Sequence, residues 1–248
     1  MCTFVLVHRL LADAPLIALA NRDEFLHRPA APPALRAGPP RLLCGLDEKE
    51  GGTWFGINAH GLIVGLTNLT LRPPDPLRPS RGLLCLDLLR LESVDQVRRV
   101  ASALAPDSYN PFNVVAADSS NAIRVRYDHA PTLEQLDPGV HVTTNWPPDS
   151  EGDAKRRMIE ARVTAAVQSS HDANQLVESL DGIARTHDGG GNPLQSICCH
   201  VPGYGTRSST IVALGADRAW ARFLHSEGAP CEAVREDSST QLFELWSA

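Results

Sequence analysis

The second residue of the chain carries a thiol, and its position can give that thiol a base. The sequence opens Met1-Cys2-Thr3 and runs directly into apolar residues. Methionine aminopeptidases remove Met before small residues, and Cys is small. Removal leaves Cys2 with a thiol and a free α-amine, a nucleophile and a base on one residue. A free thiol titrates near about 8.5 and an α-amine near about 7.7–8.0, so the amine is matched to take the thiol proton close to neutral pH. Four other clusters hold residue types that can serve such a nucleophile. Asn21-Arg22-Asp23-Glu24 packs an amide, a cation and carboxylates at the end of an apolar run. Gly65-Leu66-Thr67-Asn68 and Val142-Thr143-Thr144-Asn145 each end an apolar run on an amide donor. Pro202-Gly203-Tyr204-Gly205-Thr206-Arg207 is a Gly-rich turn that leads an Arg into the next run.

Each cluster also has an ordinary explanation. Asn and Asp after a strand are common turn residues. An Arg beside acidic groups usually forms a surface ion pair worth little. Two glycines around Tyr204 can simply mark a tight turn. Taken singly, the ordinary explanation is preferred for each.

Composition narrows the class. A chain of 248 residues makes one large domain or two small ones, and its 43% hydrophobic share suffices for a substantial core. A net charge of -6 gives no electrostatic footprint for nucleic acid or an anionic membrane. Lys occurs only at Lys49 and Lys155, which reads as codon bias before anion recognition. The cysteines are Cys2, Cys44, Cys85, Cys198, Cys199 and Cys231. They form no CxxC pair and no disulfide framework, which favours a reducing, cytoplasmic compartment. The run Cys198-Cys199-His200 can offer soft metal ligands, but free Cys is among the most buried residue types, and a buried strand is the preferred reading. Arg9 and Asp13 interrupt the first apolar stretch, and no uncharged run is long enough to span a bilayer. The basic start of a signal peptide is missing.

The elements that must position these residues read mostly as hairpins. Strands are expected at Thr3–Leu10 and Leu16–Asn21, then at Gly52–Asn58 and Leu62–Asn68. Arg28 to Pro40 holds five prolines and reads as a surface loop. Helices are expected over Gly82–Leu91 and from Ser93, where Gln96 completes a capping box. A hairpin follows at Phe112–Ala117 and Ala122–Tyr127, then a strand at Val140–Thr144. Asp153–Val167 is the clearest helix, with Ala154, Met158, Ala161 and Ala165 at helical spacing, and Asn174–Ala184 is its neighbour. Final strands are expected at Ile197–Val201, Thr210–Leu214, Ala219–Leu224 and Leu242–Trp246. Hairpins without single strand–helix alternation argue for antiparallel sheets covered by helices, an α+β class. No linker divides the chain, so residues 1–248 read as one domain.

Together the motifs resemble a known family. Cys2, Asn21-Arg22-Asp23-Glu24-Phe25 with Arg28-Pro29, Gly51-Gly52-Thr53-Trp54-Phe55-Gly56 and Pro202–Arg207 look like the NRDE family, the transport-and-Golgi-organisation-2-like proteins. More locally, Gly56–Leu62, Gly65–Asn68 and Thr144-Asn145-Trp146-Pro147 are similar to Cys-type N-terminal-nucleophile (Ntn) hydrolases such as penicillin V acylase and bile salt hydrolase. That resemblance implies a four-layer αββα sandwich of two antiparallel sheets flanked by helices. It implies catalytic roles for Cys2, Asp23, Asn68, Asn145 and Arg207. Arg22 is the departure: those hydrolases separate their second-strand Arg and Asp by two residues, whereas Arg22 and Asp23 are adjacent. Strand neighbours point to opposite faces, so Arg22 and Asp23 cannot both face Cys2 unless the strand bulges.

The chemistry implied is hydrolysis of a linear amide through an acyl-enzyme on Cys2. Asp23 orients the amine, Arg207 favours the thiolate, joined by Arg22 if the strand bulges, and Asn68 and Asn145 donate to the oxyanion. Trp54, Trp146 and Tyr204 lie within or beside the motifs and are expected to line the substrate pocket. This thiol chemistry needs no metal or cofactor. A thioesterase or lactonase would use the same machinery. The family resemblance also supports a rival class, a haem or acyl-CoA/lipid carrier on a hydrolase fold, since fold does not fix function.

Overall fold

Apolar runs separated by turn residues pair as antiparallel strands, and here they build two seven-stranded sheets. The computed structural model describes residues 2–147, 150 and 153–247. The chain forms two compact units, one of residues 1–27 and 138–239, the other of residues 28–137 and 240–248.

The first unit holds β1 (Thr3–His8), β2 (Leu16–Phe25), β10 (Gly139–Thr143), β11 (His200–Val201), β12 (Tyr204–Leu214), β13 (Ala221–Glu227) and β14 (Glu236–Asp237). Their order is β10-β1-β2-β12-β13-β14, with β11 paired to β12. The helices α3 (Asp153–Ser169) and α4 (Ala173–Ala184) pack on this sheet. Val5, Val7, Ile17, Leu19, Ile211 and Ala213 alternate onto the helix-facing side and meet Ile159, Val163, Leu176 and Leu180. The expected α3 is present, but its buried stripe is Lys155, Ile159, Val163 and Ala166, with Asp153 at its start, rather than the alanine stripe. Larger β-branched side chains bury more apolar area than Ala, so they set the helix rotation.

The second unit is a meander. β3 (Ala30–Arg36), β4 (Leu42–Asp47), β5 (Phe55–Asn58), β6 (Ile63–Asn68), β7 (Phe112–Ala117), β8 (Ala122–Tyr127) and β9 (Pro131–Gln135) lie in chain order. α1 (Arg81–Leu89) and α2 (Val94–Ser102) cover it, burying Leu84, Leu88, Val94 and Val97 against Leu42, Leu62, Val64 and Val114. The Gly-rich segment before β5 serves this packing: a Cβ on Gly52 would lie 2.2 Å from the Gly82 carbonyl carbon.

Three expectations are corrected. The proline-rich segment is strand β3, tolerated because it is an edge strand whose register shifts between Ala31 and Ala34, where Pro32 and Pro33 sit. The last segment is a helix, α5 (Ser239–Trp246), since Leu242 and Leu245 are both buried at a helical spacing. β2 and β12 are longer than expected, so the Asn21–Glu24 and Tyr204–Arg207 motifs are strand, not turn. Among the described residues, no helix is long and apolar enough to cross a membrane.

The cap of α2 is as expected, with one change. Ser93 Oγ accepts from the Gln96 N–H at 3.3 Å, while Gln96 Oε1 reaches past Ser93 to accept from the Glu92 N–H at 2.9 Å. Ser93→Ala should therefore lower stability by about 1 kcal/mol in urea unfolding, with the fold retained.

Candidate active site

The site grows from the ends of three adjacent strands. β1 pairs with β10 through Phe4↔Thr143 and with β2 through Thr3↔Asn21. Extending both registers sets Cys2 between Asn145 and Arg22. The main-chain N–H of Cys2 donates to Asn145 Oδ1 at 2.6 Å. Asn145 is buried, and the use of its oxygen leaves its NH2 group as the donor for another acceptor.

The Cys2 thiol is half-buried, and Asp23 donates to its sulfur through the main-chain N–H. Burial pushes this thiol above its ordinary range, and the Asp23 carboxylate adds to the effect. Arg22 opposes the shift without overcoming it. The thiol is thus held neutral near pH 7. Attack by such a sulfur requires a base.

Arg22 and Asp23 do point apart. β2 runs unbroken, and the bulge lies instead in β12, where the register passes from Thr206↔Asp23 to Ser208↔Arg22 and Arg207 is the extra residue. Asn21, on the same side as Asp23, donates to the Ala184 and Ile197 carbonyls at 3.0 and 2.9 Å. Asp23 Oδ1 accepts from Thr206 Oγ1 at 2.6 Å. Its Oδ2 lies 3.7 Å from Lys155 Nζ of α3, with both side chains at most 2% exposed. Thr206 is itself fixed: its N–H donates to the Cys199 carbonyl and its Oγ1 accepts from the Cys199 N–H, both at 2.9 Å. Gly205 permits that approach, because a Cβ there would sit 2.6 Å from the Cys199 oxygen.

The remaining expected residues divide. Tyr204 donates to the Asp23 carbonyl at 3.0 Å and stands edge-on to Phe25, so it braces the backbone beneath Cys2. Arg207, displaced by the bulge, donates to the Leu26 carbonyl at 2.7 Å and lies 3.6 Å from Glu227. Tyr204, Arg207 and Glu227 line an open cavity of about 360 Å³. Trp146 is half-buried beside Asn145. Asn68 and Trp54 belong to the second unit, where Asn68 ends β6 opposite Phe112 and the Trp54 ring packs over Gly45.

With this geometry in view, likeness to known proteins becomes informative. The sequence matches the family Transport and Golgi organisation 2 over residues 1–224. The chain belongs to that family. The bovine Transport and Golgi organization protein 2 homolog is 29% identical, covering 94% of this chain and 93% of its own. The human homolog is 30% identical, covering 82% and 83% respectively. Among solved structures, penicillin V acylase from Agrobacterium tumefaciens superposes with a TM-score of 0.58 at 13% identity, covering 98% of this chain and 88% of that one. A mutant conjugated bile acid hydrolase from Clostridium perfringens gives 0.60 at 11% identity, covering 97% and 93%. The Caenorhabditis elegans ortholog of N-acylethanolamine-hydrolyzing acid amidase gives 0.58 at 13% identity, covering 90% and 100%. This member of the Transport and Golgi organisation 2 family therefore has the α+β Ntn-hydrolase fold.

Lys155 and Thr206 escaped the sequence reading. The available signal was that Lys155 is one of two lysines and lies four residues before Ile159 on the stripe that α3 buries. Removing one member of a buried pair leaves an uncompensated charge. Lys155→Met should cost about 3–5 kcal/mol in urea unfolding, and adding Asp23→Asn should recover part of that loss.

Proposed function

We propose that this chain is an N-terminal cysteine hydrolase that cleaves a linear amide of a small acylated molecule through an acyl-enzyme on Cys2. The observation that carries the reading is the 2.6 Å hydrogen bond from the Cys2 nitrogen to Asn145. It holds the atom that becomes the α-amine next to a buried amide donor. The names of the structural relatives, an acylase, an amidase and a conjugated bile acid hydrolase, support the same class. A family match running through both units supports treating residues 1–248 as one domain.

In this mechanism the freed α-amine takes the thiol proton as the sulfur attacks the carbonyl carbon. The C=O π electrons move to oxygen, and the Asn145 NH2 donates to the resulting oxyanion. Collapse breaks the C–N bond, and the leaving amine takes the proton from the α-ammonium. Water, deprotonated by the same amine, then releases the acid. Arg22 supplies positive charge at the sulfur, and Asp23 positions Cys2 through its main-chain N–H. The role that the sequence resemblance gives Asn68 rests on its motif, and Asn68→Ala tests it. Thioesters and lactones fit the same steps, so substrate panels should contain all three.

Incubation with a reactive β-lactone should add its mass to Cys2 alone, and Cys2→Ala should abolish both labelling and turnover. Asn145→Ala should lower kcat by about 10²–10³ with the fold intact. An unlabelled Cys2, with a Soret band appearing on haem titration, would instead support the carrier class. Alkylation by iodoacetamide reports the thiol directly. Because the thiol pKa is raised, Cys2 in chains that retain Met1 should react with a midpoint above the ordinary value of about 8.5. Arg22→Met removes an opposing charge and should move that midpoint further up.

A further inference from the structure

A second group of nucleophilic side chains gathers outside the Cys2 site. His187, Cys198, His200 and Cys231 each offer one ligand atom, and these atoms lie within 4.8 Å of one another. They come from three segments: the stretch after α4, the approach to β11 together with its first residue, and the loop after β13. We infer that these four residues form a tetrahedral binding site for a thiophilic divalent cation, with Zn²⁺ the best match.

The spacing carries the argument. Cys198 Sγ lies 3.5 Å from Cys231 Sγ and 3.6 Å from His200 Nε2, and His200 Nε2 lies 3.2 Å from Cys231 Sγ. Zn–S bonds of about 2.3 Å and Zn–N bonds of about 2.0–2.1 Å, set tetrahedrally, give ligand–ligand edges of about 3.3–3.8 Å. The His187 ring centres 5.1 Å from that of His200. Its Nδ1 lies 3.0 Å from the Cys198 carbonyl, and donation there leaves Nε2 with its lone pair, the second-layer contact usual for a metal-binding imidazole.

The frame is built from the main chain. The Cys198 N–H donates to the Thr186 carbonyl at 3.0 Å, and Asn21 holds the Ile197 carbonyl. Both imidazoles are exposed, and an adjoining cavity of about 290 Å³ opens onto His187, Cys198 and His200, giving an ion a path in. A plain thiol contact or a disulfide accounts for Cys198 and Cys231 but not for two imidazoles converging on them. On binding, the two thiols release their protons to solvent and the two neutral imidazoles coordinate, so the site with its ion is electrically neutral. Four protein ligands leave no open position, which makes the site structural. Cys199, between two of the ligands, is also the residue that fixes Thr206 and through it Asp23. The ion therefore stiffens the backbone behind Cys2.

The test uses untagged protein purified under reducing conditions without chelator. Plasma mass spectrometry should find one Zn²⁺ per chain, and Cys2→Ala should leave that content unchanged. Co²⁺ added to the metal-stripped protein should give tetrahedral d–d bands and a thiolate-to-cobalt charge-transfer band. Cys231→Ser should weaken binding by at least about 10- to 100-fold. Cys231→His keeps four ligands, so it should retain the ion and roughly halve the charge-transfer intensity, which separates ligation from folding. Reduced protein that is folded by circular dichroism yet takes up neither ion overturns the inference. So does a Co²⁺ spectrum that Cys231→His leaves unchanged.

Discussion

The pairing of β2 with β12 around Asp23 is the constraint on which the site depends. Thr206 fixes one carboxylate oxygen, Lys155 lies beside the other, and Tyr204 holds the carbonyl of the same residue. With its side chain and carbonyl both fixed, Asp23 has little freedom, and its N–H is presented to the Cys2 sulfur. The bulge at Arg207 follows from this arrangement. It absorbs one residue of β12, so that Thr206 can reach Asp23 while Ser208 still pairs with Arg22.

Electrostatics at the sulfur then decides the kind of chemistry available. A desolvated thiol beside a carboxylate stays protonated, and the opposing charge of Arg22 does not reverse this. A neutral thiol is a poor nucleophile until a base removes its proton. The Cys2 nitrogen, already hydrogen-bonded to Asn145, is the base at hand once it becomes a free amine. The Lys155–Asp23 pair is weak evidence for stability in itself, since desolvation offsets most of the attraction. Its value here is orientation of a residue that touches the nucleophile.

Much of this was legible in the sequence because it is local. The hairpin Phe112–Ala117 and Ala122–Tyr127 is found as expected, and the registers of β1 with β10 and β2 put the ends that carry Asn145 and Arg22 on either side of Cys2. What was not legible depends on long-range packing. Edge placement turned a proline-rich segment into β3. The rotation of α3 was set by Ile159 and Val163, and that rotation put Lys155 under Asp23. The bulge that turns Arg207 toward Leu26 and Glu227 is a property of two strands and has no signature in one. The two glycines around Tyr204 read as a tight turn, yet Gly205 is needed for strand approach to Cys199. The cluster at His187, Cys198, His200 and Cys231 spans 45 residues from first to last and matches no short ligand motif.

The central claim is that Cys2 works as a chain terminus, and Met1 lies outside the described residues. The most direct measurement is the intact mass of the untagged protein, with sequencing of its terminal peptide. Loss of Met1, leaving Cys2 with a free amine, is the predicted result. Full retention of Met1 in protein from its native source would remove the base from the mechanism and contradict the account.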